Sequence, residues 1–501
     1  RAFPCWDEPE AKATFDISII AENKFTAISN MPIKSKKKIK NKTLYKFAKT
    51  PIVSTYLIYL GVGEFEYLTG KTGKVQIRVI TTKGNKSKGK FSLELGKKLL
   101  TSYENYFGIK YPLPKLDLIA IPDFAAGAME NWGAITFRET ILLYDPKTSS
   151  TRTKQFIAEV ISHEIAHQWF GNLVTMKWWN DLWLNESFAT FMATKFVDKF
   201  YPEWNLWDQF IEDAMNNAMG LDSLKTTHPI DVKVNSPSEI REIFDAISYD
   251  KGGCVLRMLE NYVGETNFRA GLKKYLSSFK YQNAEGQDLW NAIGKASKMP
   301  VTSMVNSWLT QPGFPRVNIT QKNNTLTLKQ DRFLKEPTPK TQKGLWQIPI
   351  TYGLGKETTT KLLTKKSTTV KVPKSPGFVA NIGRTGFYRV TYDDGILLDL
   401  KMLVDQKQIP HVDRWAIQND LFASCIAGQE DVQNYLDFSD AYFDEDSYLP
   451  QKNVANNLHF LAQLTFFEDY NEEIRAYAIN YFRKILSNLG WTPQKSDNHT
   501  D

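Results

Sequence analysis

His163-Glu164-Ile165-Ala166-His167 sets two imidazoles four residues apart with a carboxylate between them. On a helix that spacing brings both rings to one face. From there both can reach one zinc ion, while Glu164 points near the same cavity. The residues before it, Phe156 to Ser162, continue an apolar helical stripe without Gly or Pro. The five-residue pattern by itself also fits a chance helix face. A catalytic zinc needs three protein ligands and an open fourth position. Eighteen residues separate His167 from Glu186, and the apolar stretch after Glu186 reads as a second helix. Glu186 near the start of that helix would aim a carboxylate oxygen at the metal. The competing reading is an N-terminal charge favoured by the helix dipole. Zinc lowers the pKa of bound water to about 7, and Glu164 is then placed to act as general base. Asn185 is a candidate partner for a ligand imidazole, with core packing as the alternative.

The elements that must position these groups can be read from periodicity. Thr14 to Ile20, Thr55 to Gly63 and Val75 to Thr81 are β-branched and aromatic runs of strand type. From Phe91 to Phe107 the period becomes helical, and between Ser150 and about Leu309 the chain reads as mostly helical. The segment PGFPR at 312–316 is a break. Strand patterns return in VNIT, TLTL, WQIPITYG, FVANI and GFYRVTY between Val317 and Tyr392. Beyond Asp394 the pattern is helical again, as in Val454, Leu458 and Leu461.

A chain of 501 residues is too long for one core. Its 30 Phe, 22 Tyr and 13 Trp argue for large buried cores and against disorder. The net charge of +8 raises the question of a nucleic-acid partner. The Lys runs at Lys34–Lys42 and Lys83–Lys90 lack interleaved aromatics, so solvated hairpins or edges are expected and no nucleic acid. There is no apolar run near 18 residues, hence no membrane span is expected. The three cysteines are far apart and suggest neither a disulfide framework nor a metal clip, which favours a reducing, cytoplasmic compartment.

Gly127-Ala128-Met129-Glu130-Asn131 ends 32 positions before His163. This GAMEN segment, together with HExxH-x18-E, resembles the M1 family of zinc metalloaminopeptidases. The nearest branches in style are the puromycin-sensitive, endoplasmic-reticulum and tricorn-interacting ones. RAFPCWDEPEAKATF resembles the family's N-terminal β-domain, SYDKGG at 248–253 its tyrosine segment, and WLTQPG at 308–313 the end of its catalytic domain. The resemblance implies one zinc per chain on His163, His167 and Glu186, with Glu164 as general base. It implies that Glu130 binds the substrate's α-ammonium and that Gly127, Ala128, Met129 and Asn131 let substrate backbone approach. Tyr249 would donate its phenol to the developing oxyanion. The substrates implied are peptides with a free N-terminus. Ala128 departs from the GGMEN-like motif of the family's epoxide-hydrolase branch, and the ligand set is intact, unlike that of scaffold relatives.

The expected fold class is multidomain α/β. A partial antiparallel β-domain would cover 1–67, a thermolysin-like α+β catalytic domain 68–313, a small β-sandwich 314–394 and a truncated α-helical solenoid 395–501. The family's N-terminal domain normally starts before the position equivalent to Arg1, and GWTPQKSDNHTD resembles the middle of its helical domain. A fragment lacking both ends is therefore expected. Oligomeric state and first-residue preference are not legible in the sequence.

Overall fold

A computed structural model describes residues 3–236, 238–336, 344–354, 357–372 and 377–492. Arg1 and Ala2 of RAFPCWDEPEAKATF, and Pro493 onward in GWTPQKSDNHTD, lie outside the described residues. The chain divides into two compact units. One comprises 1–207, 231–256 and 263–302; the other comprises 208–230, 257–262 and 303–501.

The first unit begins with short antiparallel strands. Ser18–Glu22, Lys42–Phe47 and Ile33–Ile39 form a three-stranded sheet, and Thr26–Ser29 pairs with Leu60–Gly63. Alternate apolar positions, among them Ala21, Tyr45 and Phe47, meet in a small core. The Lys-rich run at 34–42 lies on the exposed edge strand and turn of this sheet. The run at 83–90 is not a hairpin; it leads from the strand Val75–Thr82 through a short 3-10 turn into the helix Lys90–Phe107.

A five-stranded sheet follows, in the order Ala128–Met129, Ala134–Arg138, Lys115–Ile121, Val75–Thr82, Phe65–Thr72. The three inner strands are parallel to one another, and the two outer strands run antiparallel to their neighbours. Parallel pairing of Val75–Thr82 with Lys115–Ile121 needs a crossover, which the helix Lys90–Phe107 supplies. The central strand Lys115–Ile121 is buried almost throughout, so its two charges must be paired. Lys115 Nζ donates to Asp117 at 2.6 Å and to the carbonyls of Ser29 and Gly133, and Arg78 holds Asp117 with two further bonds. This network ties the sheet to the turn after the GAMEN segment. Asn30 Nδ2 adds bonds to the carbonyls of Leu57 and Trp132 at 2.8 and 2.9 Å. At Gly133, with φ +74°, a Cβ would stand 2.7 Å from the Asn30 carbonyl oxygen, so only glycine fits between these strands.

Three helices pack beneath the site. Tyr103 on Lys90–Phe107 donates to the Ser162 carbonyl on Thr151–Ala166 at 3.0 Å. Its ring also sits edge-on to Phe196 of the helix Leu182–Phe200, 4.7 Å between centroids. One aromatic side chain thus fixes the two helices that carry the HExxH residues and Glu186.

The second unit holds two sheets. One is ordered Ser367–Lys371, Thr325–Arg332, Pro315–Lys322, Arg389–Tyr392, the last pair parallel; the other is Glu357–Leu363, Ile348–Leu354, Val379–Ala380. The helices Asp394–Asp405, His411–Ile426, Val432–Ser439, Tyr448–Leu464 and Asn471–Leu489 follow. Val454, Leu458 and Leu461 are buried, as their spacing predicts. Asp420 on the helix His411–Ile426 pairs with Arg384 at 2.6 Å and with Arg389 at 2.7 Å, all three buried. On Asn471–Leu489, Ala478 and Tyr481 face inward while Ile479, Phe482, Leu486 and Leu489 are exposed.

Candidate metal centre

The helix Thr151–Ala166 starts where the Ser150 side chain accepts from Thr153 N–H, satisfying one of the free donors of the first turn. It runs without a break to Ala166, and His167 takes its C-cap with helical dihedrals. The two rings therefore keep their four-residue register. His163 Nε2 and His167 Nε2 are 3.0 Å apart. Glu186 Oε2 lies 3.2 Å from the first and 3.4 Å from the second. A tetrahedral ion with ligands at about 2.0–2.1 Å needs donor atoms about 3.3 Å apart, so this triangle has the size a zinc-type ion requires. It is the one group of three or more such side chains found in metal-binding proximity among the described residues. His167 Nδ1 lies 3.0 Å from the Phe170 carbonyl, which places the proton on Nδ1 and leaves the Nε2 lone pair facing Glu186. Asn185 is therefore not the partner of the His167 ring. Its amide lies instead against Gly171 and beside the Tyr56 hydroxyl.

Glu164, Glu130 and Tyr249 lie in the same buried cluster, while Gly127, Ala128, Met129 and Asn131 are placed by their strand and turn partners. Glu164 and Glu130 are buried, 6% and 8% exposed, with the Glu164 Oε2 atom fully enclosed. Ala128 and Met129 form the terminal strand of the five-stranded sheet, paired on one side with Phe137 and Thr136. Gly127 C=O accepts from Arg138 N–H at 2.8 Å, and the Arg138 guanidinium holds the carbonyls of Phe124 and Ala125 just upstream. Asn131 Oδ1 accepts from Thr136 Oγ1–H at 3.1 Å. The Tyr249 ring stacks 6.2 Å from the His163 ring at an interplanar angle of 13°. It sits on a five-residue π-helical turn, Ile247–Lys251, that enters the helix Gly252–Val263.

The peptidase family M1 domain matches residues 91–308, the peptidase M1 N-terminal domain residues 1–57, and the ERAP1-like C-terminal domain residues 378–501. The chain belongs to peptidase family M1. Probable aminopeptidase 2 of Sulfurisphaera tokodaii is 45% identical over 91% of this chain and 58% of its own length. Aminopeptidase M1 of Arabidopsis thaliana is 40% identical over 100% of this chain and 59% of its own. Tricorn protease-interacting factor F2 of Thermoplasma acidophilum is 42% identical over 98% and 60%. The chain thus spans about three fifths of the length of these relatives. This M1 chain is a multidomain α/β protein with an N-terminal β-rich domain, a central peptidase domain and a C-terminal helical domain.

In this M1 chain the electrostatics of the cluster show what it lacks in side chains alone. Burial pushes the Glu164 carboxyl well above the usual range, with Glu130 and Glu186 adding to it and His167 opposing. Glu130 is raised as well, by burial first, against the pull of His167. Burial alone would raise Glu186, but the two imidazoles hold it low. Burial pulls His167 down, yet Glu186, Glu130 and Glu164 together push it up to about 10. Three buried carboxylates around one space need positive charge. A divalent cation supplies it while leaving both imidazoles neutral, so the residues present fit a metal.

Sequence reasoning missed three contributors. Gln168 Nε2 and Asn172 Nδ2 donate to the Glu130 backbone carbonyl at 3.3 and 2.8 Å, locking the GAMEN segment to the chain just after His167. Gln168 Oε1 also accepts from Gly133 N–H at 3.3 Å. Tyr56, from the N-terminal β-rich region, buries its hydroxyl where it meets the charges of Glu130 and Glu186. For Gln168 and Asn172 the signal was adjacency to the HExxH segment. For Tyr56 there was none, because its strand pattern only marked it as packing.

Proposed function

We propose that this chain carries the catalytic part of a zinc aminopeptidase, hydrolysing the first peptide bond of peptides with a free N-terminus. The observation that carries this reading is the buried Glu130 carboxylate, held by its own backbone beside the His163–His167–Glu186 triangle. A fixed carboxylate beside a metal centre measures a set distance from an ammonium to the carbonyl that reacts. It therefore selects the first bond of a chain over internal ones.

Zinc bound by His163, His167 and Glu186, one ion per chain, would act as a Lewis acid that makes water acidic near neutral pH. Glu164, enclosed beside the triangle, takes the proton of the attacking water once the cation offsets the neighbouring carboxylates, and returns it to the leaving amine. Tyr249 keeps its proton, because burial and then the carboxylates Glu186 and Glu130 raise its pKa. Its O–H is then a donor for the oxyanion that develops at the first carbonyl. The terminal strand Ala128–Met129 offers substrate backbone a sheet edge to join, with Gly127 and Asn131 at its ends. The finer architecture proposed is a β-domain over 1–67, a thermolysin-like catalytic domain over 68–313, a β-sandwich over 314–394 and a helical domain from 395. The mixed sheet of the first unit and the two sheets between Pro315 and Tyr392 support it.

The test is Glu130→Ala on aminoacyl-fluorophore substrates and their N-acetylated forms. Removing one partner of a desolvated pair costs about 2–5 kcal/mol. The variant should keep its zinc and lose about 30- to 5,000-fold in kcat/KM. Acetylating the substrate should cost the wild type a similar factor and the variant little more. Wild-type cleavage of acetylated peptides at internal bonds as fast as free ones would refute the aminopeptidase reading and leave the zinc reading standing.

A further inference from the structure

The geometry points to Ser187 as the positioning residue for Tyr249, acting through a clamp closed by Gly252. It rests on the role proposed above for Tyr249 and adds a residue to that mechanism. Ser187 directly follows Glu186 on the helix Leu182–Phe200 and is fully buried. Its hydroxyl donates to the Ser248 carbonyl at 2.7 Å. Ser248 precedes Tyr249 inside the π-helical turn Ile247–Lys251. At the start of that turn, Asp245 Oδ1 accepts from the N–H groups of Ile247 and Ser248 at 2.9 and 3.1 Å. The peptide groups on both sides of Ser248 are thereby tied down, one by Asp245 and one by Ser187.

Gly252 decides how close the turn can come. A Cβ there would stand 1.9 Å from Ser187 Oγ and 2.7 Å from Ser187 Cβ. The glycine lets the turn rest directly on the residue after a metal-site carboxylate. A π-turn is a wide, less favoured backbone form that persists where something holds it. Here it sets the direction of the Tyr249 phenol, which stacks on His163. The helix that supplies Glu186 to the metal triangle therefore also aims Tyr249 at that triangle, through one hydroxyl and one missing side chain. A serine that merely packs two helices would matter equally whether or not residue 249 carries a hydroxyl, and that difference separates the readings.

The experiment is a double-substitution cycle in the zinc-loaded chain with aminoacyl-fluorophore substrates. Ser187→Ala should keep one zinc by elemental analysis and lower kcat about ten-fold with KM little changed, the size that one lost hydrogen bond to a buried acceptor supports. In the Tyr249→Phe background the same change should lower kcat less than about two-fold, because the group it positions is gone. A crystal structure of the Ser187→Ala chain should show the Tyr249 ring displaced from its stack on His163, with the ligand triangle intact. Gly252→Ala should give the same kcat-selective loss by pushing the turn away. In the Tyr249→Phe background that loss should likewise fall below about two-fold; this pair decides the matter if Ser187→Ala does not fold. Equal losses in the two backgrounds, loss of zinc, an unmoved Tyr249 ring or an unchanged kcat overturns the proposal. A Tyr249→Phe chain with wild-type kcat overturns the role of Tyr249 itself, a failure readable before Ser187 is touched.

Discussion

Glu164 and Tyr249 sit within one buried cluster, yet their environments push them toward opposite duties. Glu164 has an enclosed oxygen, and burial with the neighbouring carboxylates raises its affinity for a proton; a bound cation would offset that and free it to act as a base. Tyr249 is held protonated by burial and the same negative charges, which suits a donor. Glu164→Gln should retain zinc and lose turnover, since an amide cannot accept the proton; elemental analysis beside a single-turnover assay checks both halves. Tyr249→Phe should lower kcat by about 100- to 1,000-fold with a small change in KM, the usual cost of one oxyanion donor. The fold sets Glu130, Glu164 and Tyr249 beside the His163–His167–Glu186 group, but their supports were not legible. Gln168, Asn172, Ser187 and Tyr56 are ordinary polar or aromatic residues until the fold shows which carbonyl or carboxylate each one meets.

At the scale of elements, long periodic segments follow the sequence and short ones follow their neighbours. The spacing over Phe91–Phe107 predicts a helix, and one spans Lys90–Phe107. The run Thr55–Gly63 reads as one strand, yet the paired strand is limited to Leu60–Gly63 and Thr55–Leu57 forms a 3-10 turn. The Leu57 carbonyl is taken by Asn30 and by Trp132 N–H, bonds from distant segments that strand periodicity cannot show. The strands Glu357–Leu363 and Ser367–Lys371 escaped the sequence reading because their Thr- and Lys-rich runs carry little apolar alternation. One pairing between elements should be visible in solution. His411, at the start of its helix, lies 2.8 Å from Asp208, which raises the imidazole pKa; burial and Arg414 oppose, and Glu445 assists. The folded value exceeds the unfolded one of about 6.5, so the stabilisation is fully present below that pH. It is lost as pH rises through the folded value. Melting temperatures of wild type and His411→Gln should therefore differ most near pH 5.5 and converge in alkaline buffer; a gap that widened with pH would refute the pairing.

For the molecule as a whole, the cluster predicts linkage between metal and stability. Unfolding separates His163, His167 and Glu186, which lie 23 positions apart at most, so zinc held by them would bind the folded state far better. At a free concentration 1,000 times its dissociation constant, zinc should add about 4 kcal/mol. Chelation should accordingly lower the melting temperature of the wild type by several degrees, and zinc should restore it. His163→Ala and His167→Ala should melt near the chelated temperature and show no response to zinc. A wild-type melt indifferent to chelator, in protein shown to hold zinc beforehand, would count against the assigned ligands. No described helix is long and apolar enough to cross a membrane.

What the sequence determined by itself is whatever depends on spacing along one element. Two imidazoles four residues apart share a helix face wherever that helix packs. The HExxH and GAMEN segments likewise carry the resemblance to peptidase family M1 without any coordinates. What only the tertiary structure decided is everything set between elements. It placed Glu186 3.2 Å from His163, stacked Tyr249 on that ring, turned the His167 Nδ1–H to donate to the Phe170 carbonyl and laid the π-turn on Ser187. Those distances come from side chains packing at near-crystalline density across segments far apart in the chain. Local periodicity holds no record of which surfaces will meet, or how closely.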